Sequence, residues 1–144
     1  PKLGWRSYSI DAEKFNQPIN WTKLRVDYVI PEYRSELTGE SYILEMGFER
    51  LNGVDFKKGC YVGQEVTARM KHKTELHKGL IKIGSEQTMV NGEELFLNDK
   101  PIGSVLTVYD RSALAYVRLK NRDEILSTKS TKRIFVDTNP ISSN

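Results

Sequence analysis

From residue 78 onward, apolar side chains recur with a period of two, in short runs broken by turn residues. Lys78-Gly79-Leu80-Ile81-Lys82-Ile83 predicts a strand ended by Gly84, and Asn91-Gly92 predicts a tight turn. Glu94 to Leu97 predicts a second strand, and Asn98-Asp99-Lys100-Pro101 a second turn. Ile102 to Tyr109 is a longer strand interrupted by Gly103, where a bulge or a close backbone approach is expected. Asp110-Arg111-Ser112 turns the chain again, before strands at Ala113–Leu119 and Arg133–Val136. Five or six short strands with frequent turns predict a small antiparallel barrel or sandwich.

The pattern upstream is different. Trp5 to Ile10 alternates like a strand. Asn20 is placed to cap a helix with Trp21, Leu24 and Tyr28 at helical spacing on one face, and Pro31 stops that helix. One strand and one short helix bury little surface alone. Residues 1–55 are therefore expected to lean on a preceding domain or on a partner. The fold class read from the chain is α+β. Residues 1–75 mix a strand with short helices, residues 76–137 form the small antiparallel β-barrel or sandwich, and residues 138–144 form a frayed tail.

Composition narrows the functional classes. The chain has 144 residues and a formal net charge of +3, too mild and too spread for a dedicated nucleic-acid binder. No apolar run approaches the ~20 residues of a membrane-spanning helix. The charge is uneven, however. Residues 50–82 carry 8 basic and 3 acidic side chains, so this stretch alone is more positive than the whole chain. Lys57, Lys58, Arg69, Lys71, Lys73, Lys78 and Lys82 lie here, with His72 and His77. Such a stretch is either a solvated face or a surface for an anionic partner. His72 and His77 have no third ligand type nearby and are read as solvated or capping residues; no metal site is expected.

The single cysteine, Cys60, excludes an intrachain disulfide and a zinc site built from several thiolates. It lies in Lys57-Lys58-Gly59-Cys60-Tyr61-Val62-Gly63-Gln64-Glu65, where two glycines bracket it and good helix formers follow to Met70. A tight loop entering a helix start is expected. Helix-end potential and the neighbouring lysines favour a thiolate. The competing reading is a small buried hydrophobe.

Lys58-Gly59-Cys60-Tyr61-Val62-Gly63-Gln64-Glu65 resembles the signature K-G-C-Y-x-G-Q-E of the YgfZ family, with every specified position matched. The resemblance continues through Leu51–Phe56, read as a strand leading into the signature, and through Val66, Ala68 and Arg69 after it. Leu3-Gly4-Trp5-Arg6 and Arg25 with Ile30-Pro31-Glu32 are similar to the family's upstream half. Departures fall at Val29, where Gly is usual, at Leu44 and Gly47, where Pro and Asn are usual, and at Thr74.

The resemblance implies folate-binding proteins of iron–sulfur cluster assembly or repair, related in fold to the glycine-cleavage aminomethyltransferase. It implies that residues 1–75 are the remnant of a folate-binding α/β region, that residues 76–137 are its small antiparallel β-barrel, and that the chain is the carboxy-terminal half. Most of the tetrahydrofolate site would then lie outside it, and the fragment alone would bind folate poorly. Cys60 would be the reactive thiol. Lys58, Gly59, Tyr61, Gly63, Gln64, Glu65 and Arg69 would shape its loop and helix. Because clusters are held by several cysteines, a partner such as an A-type carrier would share any cluster. The implied compartment is the cytoplasm, preferred, or the mitochondrial matrix. Two other readings stay open: a folate-dependent aminomethyl or methyl transferase, and a non-catalytic interaction module. Whether the chain is an enzyme is not decided by its sequence.

Overall fold

The computed structural model describes residues 8, 18–73, 76–118, 126–128 and 133–136. The strand expected at Trp5–Ile10, the substitution at Thr74 and the tail from residue 138 lie outside the described residues, apart from Tyr8.

Two helices and six strands form in the order α1 (Trp21–Tyr28), α2 (Gln64–Lys73), β1 (Lys78–Ser85), β2 (Glu94–Leu97), β3 (Lys100–Tyr109), β4 (Ser112–Arg118), β5 (Leu126–Thr128) and β6 (Arg133–Val136). The strands close into an antiparallel barrel in the order β1-β4-β3-β2-β5-β6. A barrel, not a sandwich, resolves the alternative that the period-two pattern left open. β5 has no counterpart among the strands read from sequence.

The turns follow residue chemistry. Asn98 and Asp99 have φ of 47° and 62° and join β2 to β3. Such left-handed pairs match the twist of a two-residue hairpin. Asp110, at φ 53°, and Arg111 join β3 to β4. The Asn91-Gly92 turn also forms, with Gly92 at φ 83°. It closes no hairpin, because β1 and β2 are not neighbours; the Gly92 N–H donates to the Val105 carbonyl at 2.8 Å. Gly84 does not end β1. It pairs with Ser112 on one side and Phe135 on the other.

Alternation sorts each strand into an inner and an outer set. Ile81, Ile83, Leu95, Val105, Ala113, Ala115, Val117 and Ile134 fill the interior with Met89 and Ile102. The outer set includes Leu80, Leu114, Leu106, Tyr109 and Tyr116, and these form a second core with Val26, Val29, Leu37, Met46 and Phe48. Residues 18–50 thus cover one side of the barrel. Two bulges shape β3. One lies between the Leu95 and Phe96 pairings, and one at Leu106 between the Val105 and Thr107 pairings. The second turns both Leu106 and Thr107 toward the covering layer. The expected close approach at Gly103 is present: a Cβ there would lie 2.1 Å from the Tyr116 carbonyl oxygen.

α1 begins as expected, with the Asn20 side chain accepting from the Lys23 N–H at 2.9 Å. Its buried face differs from the expected one. Trp21 is exposed, and Val26 is the residue fully buried. The docked stripe is Arg25, Val26 and Val29, and Trp21, one turn before Arg25, stays exposed at its edge. An arginine in that stripe conceals it from an apolar-pattern search.

Arg25 is mostly buried, and one of its two acidic partners is fully buried. It pairs with Glu36, whose side chain is wholly buried, and with Glu32 at 2.6 Å. Glu36 also accepts from the Glu32 N–H at 2.8 Å and from the Thr107 hydroxyl of β3. One carboxylate therefore ties α1, the loop after it and the barrel together.

Further polar contacts support this docking. Asp27 accepts from Lys23 at 2.5 Å and from Lys82 of β1 at 3.1 Å. Burial pushes its carboxyl up, but the two lysines outweigh that and hold it below its ordinary value. Tyr116 of β4 donates to Glu45.

Pro31 is not where α1 stops. Val29 caps it in the left-handed conformation, at φ 52° and ψ 54°. This is the position where the resembled family usually has Gly, and the conformation explains that preference. Arg50 donates to the carbonyls of Tyr28 at 3.0 Å and Val29 at 2.6 Å, satisfying two groups at the helix end.

Candidate functional site

The signature segment forms a loop and then a helix start, as its glycines and helix formers require. Only one of the two glycines uses its conformational freedom. Gly63 has φ 85°, whereas Gly59 has no positive φ. Gly63 immediately precedes α2, and its carbonyl accepts the Thr67 N–H at 3.5 Å. It has no side chain to cap the helix.

Gln64 instead organises the loop. Its amide oxygen accepts the Tyr61 N–H at 3.1 Å, and its amide nitrogen donates to the Cys60 Sγ at 3.5 Å. A single carboxamide therefore fixes both the backbone after the cysteine and the thiol. Cys60 is a free, exposed cysteine. Among the described residues it is therefore not packed as a small buried hydrophobe.

The other signature residues separate into two groups. Lys58 places its ammonium 4.9 Å from the centroid of the Tyr61 ring, a cation–π arrangement that braces the loop. Lys58, Tyr61, Gly63 and Gln64 thus belong to one local unit around Cys60. Glu65 and Arg69 do not join it. They pair with each other one helical turn apart at 2.7 Å, both exposed, and such pairs contribute about 0.3–0.5 kcal/mol.

The strand expected to lead into the signature is absent. Among the described residues Leu51–Phe56 pairs with no strand. Gly53 instead closes a turn on Phe48, its N–H donating to the Phe48 carbonyl at 2.7 Å. Phe56 then packs edge-on against His72 of α2, with ring centroids 6.4 Å apart. Lys71 lies 5.5 Å from the Phe56 centroid and pairs with Glu49 at 2.5 Å. His72 therefore has a packing role. Among the described residues no group of three or more His, Cys, Asp or Glu side chains could hold a metal ion.

Two features escaped the sequence reading. Val62, in the cysteine loop, and Val66, in the first turn of α2, are both exposed apolar residues. Their four-residue spacing was the available signal. The second is the arginine-centred clamp at Arg25 and Glu36, which secures the scaffold that carries the loop.

No protein-family model matches the chain. The mitochondrial iron–sulfur cluster assembly factor IBA57 homolog of Aspergillus fumigatus is 35% identical over 94 residues, which is 65% of this chain. Its counterpart in Neurospora crassa is 47% identical over 53 residues, which is 36% of this chain. The chain is similar to these assembly factors over part of its length. It spans only 19% and 12% of their respective lengths.

The fold also matches the crystal structure of the glycine cleavage system aminomethyltransferase T from Bartonella henselae, with a TM-score of 0.63 and 15% identity. That match covers 83% of this chain and 37% of the other, and it shows the shared fold. The relatives are mitochondrial by name, so the preference for a cytoplasmic location finds no support in them. Among the described residues no helix is long and apolar enough to cross a membrane.

Proposed function

We propose that this chain is part of an iron–sulfur cluster assembly or repair factor and that Cys60 is its reactive group. The observation that carries the reading is the exposed Sγ of Cys60, held by the Gln64 amide in a loop at the head of α2. An exposed thiol in a basic segment is poised for ligand exchange rather than packing. The names of the relatives supply the cluster chemistry, and the signature supplies the residue.

Clusters are commonly held by four cysteine ligands. One cysteine can therefore provide one ligand, with the rest coming from the protein that delivers or receives the cluster. In this reading Cys60 loses its proton to solvent and replaces one ligand on a cluster carried by an acidic partner, such as an A-type carrier. Gln64 holds the sulfur in place, and the lysines around the loop attract the partner. Val62 and Val66 would be covered in the complex. The mitochondrial matrix is the compartment this reading favours.

Tetrahydrofolate is the cofactor implied by the resemblance. A pterin needs a deep and largely apolar slot. The described half-open cleft of about 300 Å³ at the barrel rim, lined by Lys78, Glu94 and Arg118 among others, is not one. The transferase alternative rests on fold likeness alone.

Complementation tests the proposal. The full-length protein carrying Cys60→Ala, expressed at normal level in cells lacking the endogenous factor, should leave iron–sulfur enzymes inactive. Full rescue by that variant would remove Cys60 from the mechanism.

A further inference from the structure

We propose that the cleft at the rim of the barrel, between the end of β4 and the start of β3, binds the carboxylate of a small organic acid between Lys78 and Arg118. The site is separate from the cysteine loop.

Lys78 and Arg118 are direct cross-strand partners at the end of the β1–β4 pairing. Directly opposed residues of an antiparallel pair point to the same face. Leu80 and Tyr116, two residues further in, lie on the outer face, so the two cations do also. Like charges directly opposite destabilise a sheet. Among the described residues neither cation pairs with a carboxylate. Lys78 lies 5.8 Å from the centroid of the Tyr116 ring. The repulsion is relieved if an anion sits between the two heads.

The backbone makes room for one. The β3–β4 pairing stops at Gly103 opposite Val117, beside the bulge that leaves Ile102 without a partner in β2. Pro101 offers no N–H to extend the ladder. The opening has a volume of about 300 Å³, with Ile102, Gly103 and Val117 in its wall. That is at the small end of ligand sites.

The charge arrangement selects the ligand class. The guanidinium fork matches a carboxylate in two parallel bonds, and the lysine adds a point charge. Glu94 lines the same cleft. It disfavours a doubly charged phosphate more than a singly charged carboxylate.

The test is a titration of the intact chain, followed by ¹H–¹⁵N spectra, with acetate, with inorganic phosphate and with chloride at matched ionic strength. Acetate should give saturable shifts at the Gly103, Ser104 and Val117 amides, in the millimolar range. Lys78→Gln and Arg118→Gln should each weaken binding on the order of tenfold, equivalent to about 1.4 kcal/mol. In chloride alone Arg118→Gln should melt higher than the parent, because it removes the like-charge pair. It should also lose the acetate-induced rise in melting temperature. Shifts that do not saturate, that chloride reproduces, or that persist in the double variant would overturn the proposal. Phosphate binding tighter than acetate would overturn the carboxylate assignment.

Discussion

Replacing Glu36 tests the central claim about the scaffold, that one buried carboxylate fastens α1 to the barrel. The Glu36 side chain is fully buried, while that of Arg25 is 11% exposed. Glu36→Ala removes the acceptor for three donors at once: the Arg25 guanidinium, the Glu32 N–H and the Thr107 hydroxyl. Removing one partner of a buried ion pair costs about 3–5 kcal/mol. Arg25 keeps Glu32, whose side chain is 57% exposed, so its charge is not wholly abandoned. The lower end, about 3 kcal/mol, is therefore expected.

Domains of this size are stable by about 5–15 kcal/mol, so the alanine variant could approach the limit of folding. Glu36→Gln is the gentler probe. It keeps the volume and one acceptor but loses the charge, and it should cost about 1.5–3 kcal/mol. The assay is urea unfolding, with the midpoint lowered and the m-value unchanged. Joining Arg25→Met to Glu36→Leu should cost far less than the sum of the two single changes, because no buried charge is left unpaired. A Glu36→Gln variant within about 0.5 kcal/mol of the parent, the range of an ordinary surface change, would refute the reasoning. So would strict additivity of the Arg25 and Glu36 substitutions.

The remaining predictions concern backbone and pH. Gly103→Ala should cost about 3 kcal/mol or abolish folding, since its Cβ would collide with backbone at 2.1 Å. Gly84→Ala is its control, because the nearest atom there is at 3.8 Å; equal melting temperatures for the two variants would contradict the close approach. Val29→Gly removes a left-handed β-branched residue, whose strain is about 1–2 kcal/mol. It should raise stability by up to about 1 kcal/mol once glycine's chain entropy is deducted; a lower melting temperature would show that Val29 packing outweighs the strain. For Tyr116, burial and then the hydrogen bond to Glu45 push the phenol above its ordinary value of 10.0. A raised value means that the folded state retains a proton which the unfolded chain releases above pH 10, so this contribution is present below that pH and is lost as pH rises. The stability gap between the parent and Tyr116→Phe should therefore narrow above pH 10; a constant gap in pH-dependent unfolding would contradict the burial of the phenol.

The barrel was legible because its strands announce themselves twice. Alternation marks β1 and β3, and the unbroken apolar run Ala113-Leu114-Ala115 in β4 signals burial on both faces. The turns were legible through Asn, Asp and Gly, since few other residues accept a positive φ. The strand pairing around the barrel was not, because turn chemistry specifies a reversal and not a neighbour. Asn91-Gly92 makes its turn without making a hairpin for that reason.

The layer over the barrel was the hardest to read. Its helix docks through Arg25, and an arginine counts as polar until the distant Glu36 and Thr107 are known to meet it. Leu51–Phe56 looked like a strand, but a strand needs a partner, and Gly53 spends its backbone on a turn against Phe48. The cysteine loop was legible as a motif, and its central hydrogen bonds were not. That Gln64 reaches both Tyr61 and Cys60 depends on Gly63 turning the chain at positive φ. The residue without a side chain thereby determines which side chain meets the thiol. A substitution at Gly63 should therefore disturb Cys60 more than the same substitution at Gly59, although both glycines are adjacent to the same loop.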